Sequence, residues 1–205
     1  MHQEVLTKEG LSLFINLKKF EGYYLAGGTA LALQIGHRIS VDFDLFSNNE
    51  IPKNLLTKVK QVFEDKEVVV SINNKDELTV FVAGVKITFL FYPFPPQKPL
   101  LELDGLKILD QTEIAGTKAY TVGRRGSLKD YLDLYFILSE KIISLEEIIK
   151  LAEEKFGTDF NSRLFLEQLV YLNDVEETEI IFLGNKITKA ELFDFFSSQI
   201  KNFSL

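Results

Sequence analysis

The sequence predicts an α+β fold: a mixed sheet with helices on one side, followed by a mainly helical region. Three observations carry that expectation. Two short strand-like runs flank a Gly27-Gly28 pair and its helix, residues 67–92 alternate like a meander of strands, and from Asp110 onward the apolar residues recur at helical spacing.

Residues 4 to about 20 read as a helix, with Leu11, Phe14 and Leu17 on one side and Glu21-Gly22 closing it. A short strand from Tyr23 runs into Gly27-Gly28-Thr29, and a compact apolar helix follows, ending near Gly36. A second strand carries Asp42 and Asp44. Asn48-Asn49-Glu50 then precedes Pro52 in the favoured first-turn position, and Leu55, Leu56, Val59, Val62 and Phe63 repeat at helical spacing to about Asp65. The runs 68–72, 78–82 and 85–92 are joined by turn residues, and such short links make neighbouring strands antiparallel. Pro93, Pro95, Pro96 and Pro99 crowd one short stretch, which suits a domain boundary better than a regular element.

Beyond the prolines, Asp104-Gly105 suits a turn and residues 106–109 a short strand. Capping-box spacing recurs at Asp110/Glu113, Ser127/Asp130, Ser144/Glu147 and Thr188/Glu191, which predicts helices over about 110–122, 127–139, 144–156 and 188–202. Phe160, Leu164, Leu169 and Leu172 indicate another over about 159–172. There is no internal repeat or heptad array.

Composition limits the chemistry. With 205 residues, 46% of them hydrophobic, the chain has material for a real core, and it lacks any run near the ~18 apolar residues of a membrane span. The first residues show no signal-peptide pattern, so a cytoplasmic location is expected. Zero Cys excludes disulfides and thiolate metal sites, and two His are too few for a His-based zinc centre. A net charge of −7 argues against coating nucleic acid through the whole surface, so such contacts must be local. The basic stretch 118–130, with Lys118, Arg124, Arg125 and Lys129 against Asp130, is the local candidate, and a solvated interhelical loop is its plain alternative.

The chemistry is expected at residues 23–46. Alternate strand positions share a face, which sets Asp42 and Asp44 side by side over Val41, Phe43 and Leu45. Two such carboxylates suit one or two Mg²⁺ ions, whose octahedra are completed by water and phosphate oxygens. Gly27 and Gly28 allow close backbone approach, and the opening helix favours an anion. Asp is disfavoured in strands, so two at alternate positions ask for a reason. The plain reason is a strand end in water; phosphate and metal together describe a nucleotide site.

These residues resemble a known family. Gly27-Gly28-Thr29-Ala30-Leu31, Gly36-His37-Arg38 and Asp42-Phe43-Asp44-Leu45-Phe46 look like the opening of the AbiEii/AbiGii nucleotidyltransferase toxins, within the DNA polymerase β-like superfamily. The blocks 113–120 and 125–134 resemble that family's second and third motifs in order, and 169–174 is similar to a segment near its end. The likeness covers about residues 20–183. It implies a nucleotidyltransferase-like core over residues 1–95 and a mainly helical region over 96–205 that completes the cleft.

The resemblance also implies nucleotidyl transfer from a nucleoside triphosphate to an acceptor hydroxyl. It makes Asp42 and Asp44 the ligands of Mg²⁺ or Mn²⁺, has Gly27, Gly28 and Thr29 hold phosphate, and places Lys118 at the triphosphate with Arg38 and Arg125 assisting. Asp130 would order the second half of the site or help deprotonate the acceptor, with Asp133 one turn on sharing its role, although Asp130 also reads as a helix cap on Ser127. One departure stands out. The wider superfamily's third metal carboxylate has its best equivalent at Thr88, so either Asp42 and Asp44 hold the metal with waters, or Glu77, Glu102 or Asp104 reaches in, or catalysis is weak or lost. Three readings stay open: a toxin acting on RNA, with the tRNA 3′ end favoured and a cognate antitoxin as partner; a nucleotide-binding module without turnover; and a small-molecule nucleotidyltransferase of the antibiotic-modifying kind.

Overall fold

The computed structural model describes residues 1–122, 124–175 and 178–201. The chain divides into two compact units, the first spanning Met1–Asp110 and the second beginning at Gln111.

The first unit is built on a seven-stranded mixed sheet. Its strands are β1 (Tyr24–Ala26), β2 (Phe43–Ser47), β3 (Val68–Asn73), β4 (Glu77–Val82), β5 (Val85–Phe91), β6 (Leu101–Leu103) and β7 (Leu106–Ile108), in the order β3-β4-β5-β2-β1-β7-β6. The meander β3 to β5 is antiparallel as its short turns require, while β2 pairs parallel with β5 and β1 parallel with β7. The helices are α1 (Lys8–Leu17), α2 (Gly27–Ile35) and α3 (Leu55–Val62). Thr7 caps α1 by accepting from the Gly10 N–H at 3.0 Å.

Alternation along the strands separates two faces. Leu25, Phe43, Leu45, Leu78, Val80, Ile87 and Phe89 form one of them and are almost completely buried. Aromatic rings from the helical side close on it: Phe14 lies 6.2 Å from Phe43, and Phe20 lies 4.8 Å from Phe89 and 6.2 Å from Phe63. The other face carries Asp44, Thr88 and Thr79, which stand opposite one another in register across β2, β5 and β4. An apolar floor therefore holds a polar row in fixed order.

Two expectations differ from what is observed. β2 begins at Phe43, so Asp42 lies just before the strand rather than within it. Strand pairing also resumes after the prolines, with β7 joining β1 through Leu25 and Ile108, so the expected border at residue 95 falls inside the first unit. The prolines interrupt the strands without ending the sheet.

The second unit is helical: α4 (Gln111–Val122), α5 (Leu128–Ser139), α6 (Leu145–Phe156), α7 (Ser162–Leu169) and α8 (Lys189–Lys201). α4 packs against α5, α6 and α7. Capping boxes form at Ser144/Glu147 and at Thr188/Glu191, where each carboxylate returns to the cap backbone N–H. Residue 202, the last of the helix expected over 188–202, and residue 123 of the basic stretch lie outside the described residues. No described helix is long and apolar enough to cross a membrane.

Candidate active site

The site is framed where β1 turns into α2. Gly27 has φ +67, and a Cβ built there would lie 2.6 Å from Asp44 Oδ2. Both the backbone angle and the space demand glycine. Ala26 stands opposite Asp44 in the β1/β2 register, so the loop wraps that carboxylate closely. Gly28 is half-buried in the first turn of α2. Replacing Gly27 with alanine should cost about 1–2 kcal/mol from the left-handed angle alone and displace the Asp44 carboxylate; urea unfolding of the two proteins checks the first effect.

Thr29 is 3% exposed, and its hydroxyl lies 2.6 Å from Ser40 Oγ while donating to the Asp42 carbonyl. That ties α2 to the chain entering β2 and fixes the backbone at Asp42, whereas the sequence suggested an outward contact to phosphate. Arg38 is equally enclosed at 3% exposure, with Nη1 donating to the Ile39 carbonyl at 3.3 Å. Its guanidinium belongs to the interior of the first unit.

The Asp42 side chain is 40% exposed and its Oδ2 lies 3.9 Å from Lys86 Nζ. Thr88, in register with Asp44, has its hydroxyl 3.3 Å from that of Thr79, whose proton goes to Glu77 Oε1 at 2.6 Å. Of the three acids named as substitutes for a third ligand, Glu77 on β4 and Glu102 on the edge strand β6 fall on the Asp44 face by register. Glu102 pairs with Lys107 at 2.5 Å, and Asp104 accepts from Gln3 at 3.0 Å. Among the described residues no group of three His, Asp or Glu side chains is placed to hold a metal. Two hard-oxygen donors, one cradled by Gly27 and one half-exposed, fit an ion that completes its shell with water and phosphate oxygens. Lys86 was not singled out in the sequence, though alternation with Thr88 on β5 assigns it to the same face.

The second unit gathers the other expected residues into a buried charge cluster. Lys118 Nζ lies 2.6 Å from both Asp130 Oδ1 and Asp133 Oδ2, with side-chain exposures of 5%, 1% and 0%. Arg125, whose side chain is mostly exposed, donates to Asp130 through Nε at 2.7 Å and Nη2 at 3.0 Å. Ser127 makes no side-chain cap, so Asp130 serves these cations and not the helix start. Burial raises the Asp130 pKa, but Lys118 and Arg125 outweigh it and hold the carboxyl below its ordinary value. The neighbouring Tyr131 hydroxyl is pushed up to about 12 by burial and then by Asp130, and donates to the Gln168 carbonyl.

The remaining charged residues have local duties. Glu113, expected at a helix start, forms a buried pair with Lys155 at 2.7 Å. Arg124 lies 4.0 Å above the Tyr120 ring and donates to the Asp159 carbonyl.

Comparison with known proteins gives concordant results. A family model described as "Nucleotidyl transferase AbiEii toxin, Type IV TA system" matches residues 11–201. An uncharacterized protein of Aquifex aeolicus is 32% identical over 199 residues, covering 96% of this chain and 95% of that protein. Among solved structures, the nucleotidyltransferase toxin MenT4 of Mycobacterium tuberculosis superposes with a TM-score of 0.61 at 16% identity, over 94% of this chain and 81% of its own. JHP933 from Helicobacter pylori gives a TM-score of 0.55 at 17% identity, over 96% and 94%. At these identities the two structural likenesses show a shared fold.

Proposed function

The chain belongs to the AbiEii nucleotidyl transferase toxin family of type IV toxin–antitoxin systems and is a nucleotidyltransferase, and from that premise we propose that it moves a nucleotide from a nucleoside triphosphate to the 3′ hydroxyl of a tRNA. In this reading Asp42 and Asp44 hold Mg²⁺ or Mn²⁺, the reaction takes place in the cytoplasm, and a cognate antitoxin is the protein partner. The observation that carries it is the Gly27 backbone closed around Asp44, which gives that carboxylate a fixed direction on the polar face of the sheet.

The acceptor hydroxyl gives its proton to water as its oxygen forms a bond to the α-phosphorus, the bond to the bridging oxygen breaks, and pyrophosphate leaves with that electron pair. A divalent ion at Asp42 and Asp44, when bound, supplies positive charge to the phosphate oxygens and the attacking oxygen. Thr29 sets the Asp42 backbone through its hydroxyl. Arg125 holds Asp130 while most of its side chain stays exposed, which suits it to meet a phosphate. Lys118 is kept charged and oriented by its two carboxylates, and its approach to a triphosphate means exchanging one of them for a phosphate oxygen.

The structure bears on the two roles open for Asp130. A general base works best with a pKa near the working pH and a free lone pair. Asp130 is held below its ordinary value and both its oxygens accept from Lys118 or Arg125. That supports the ordering role over proton abstraction.

The test supplies purified protein with nucleoside triphosphates labelled at the α-phosphate, Mg²⁺ and total tRNA. Label entering tRNA is the expected result. Label entering only aminoglycoside-type small acceptors would move the acceptor to the antibiotic-modifying class. Nucleotide binding with no transfer to any acceptor would replace the enzyme with a binding module, a reading that the threonine at position 88 favours.

A further inference from the structure

Strand β5 brings a cation beside the aspartates and carries a threonine, not an acid, opposite Asp44. Lys86, Thr88 and Leu90 alternate onto the Asp44 side, and the β2/β5 register that pairs Asp44 with Thr88 continues toward Lys86 beside Asp42. Lys86 Nζ lies 3.9 Å from Asp42 Oδ2, and the two side chains are 39% and 40% exposed. Its cross-strand neighbour on β4 is Phe81, which offers no competing anion. A half-exposed pair at this distance contributes little to folding. Its effect falls on the charge of the site.

Asp42 and Asp44 meet one ammonium, Lys86, and among the described residues no third acid is grouped with them to hold a metal, where holding two dications calls for more oxygen ligands and no resident cation. Thr88 cannot supply the missing charge, and its hydroxyl is already engaged with that of Thr79. We propose that Lys86 is a fixed positive charge of this site, standing in for a second metal ion and limiting the protein to one divalent cation per chain. The inference rests on the reading that Asp42 and Asp44 hold a divalent ion. Lys86 acts here as an electrostatic positioning residue, through Asp42.

Mn²⁺ alone is the probe, titrated into the full chain without nucleotide and followed by electron paramagnetic resonance and calorimetry. Wild type should bind one Mn²⁺ per chain, and Asp44→Asn should remove it. Lys86→Ala should tighten that binding about threefold to tenfold, because a like charge near the ion is gone. Lys86→Arg should match wild type, and Lys86→Glu should admit a second Mn²⁺. A purely structural lysine would shift the thermal midpoint in Lys86→Ala and leave Mn²⁺ affinity unchanged, which overturns the inference. Two Mn²⁺ ions on wild type would overturn it as well and leave Asp42 and Asp44 as ligands. No Mn²⁺ on any variant would remove that underlying reading and the inference with it.

Discussion

Lys118→Ala is expected to lower the stability of the helical unit by about 3–5 kcal/mol, the cost of leaving buried carboxylates without their cation. Lys118 Nζ contacts Asp130 and Asp133 at 2.6 Å, and none of the three side chains is more than 5% exposed. Arg125 still compensates Asp130 in the variant. Urea unfolding gives the magnitude, and a double-mutant cycle with Asp133→Ala should show strong coupling because removing both charges costs less than removing either alone. A change under about 1 kcal/mol would contradict the buried pair. The cluster also sets an acid limit. Asp130 has a lowered pKa in the folded protein, so its contribution is present above the unfolded carboxylate value and fades as pH falls through the folded one. Lost activity in Lys118→Ala therefore reports catalysis only at temperatures where the variant is still folded.

The same cluster shows where sequence reasoning works and where it stops. Ser144/Glu147 and Ser127/Asp130 share one spacing with an acid at the third position, yet only the first forms a capping box. Solvent-exposed Glu147 turns back to accept from the cap backbone N–H. Asp130 folds inward to Lys118 and Arg125, partners that helix packing brings to it and that no local pattern encodes. Glu113 repeats the lesson with Lys155, 42 positions along the chain. Alternation is a stronger guide in the sheet, because one buried face fixes the register of every strand. Thr88, which the family resemblance sets at the third-ligand position, does pair with Asp44. The partnership of β1 with β7 was not legible, since three-residue strands carry almost no periodic signal. Nor was the enclosure of Thr29 and Arg38, which depends on how α2 packs against the chain entering β2.

Asp44→Asn should reduce nucleotide transfer by about 10²–10³-fold or more while changing stability by less than about 1 kcal/mol. The substitution keeps the shape that Gly27 accommodates, since the amide occupies the same volume beside the loop. Asp44 is half-buried, with Ala26 and Thr88 as its cross-strand neighbours, and asparagine keeps an oxygen that accepts hydrogen bonds there. Transfer does depend on it, because charge on the phosphate and the attacking oxygen grows toward the transition state, and a neutral amide is a poor ligand for the ion that offsets it. Rates with labelled nucleoside triphosphate, set beside urea unfolding of the same preparation, separate the two quantities. Unchanged transfer in Asp44→Asn would take the chemistry away from this sheet. A matching loss of stability would instead assign Asp44 to the architecture of the turn.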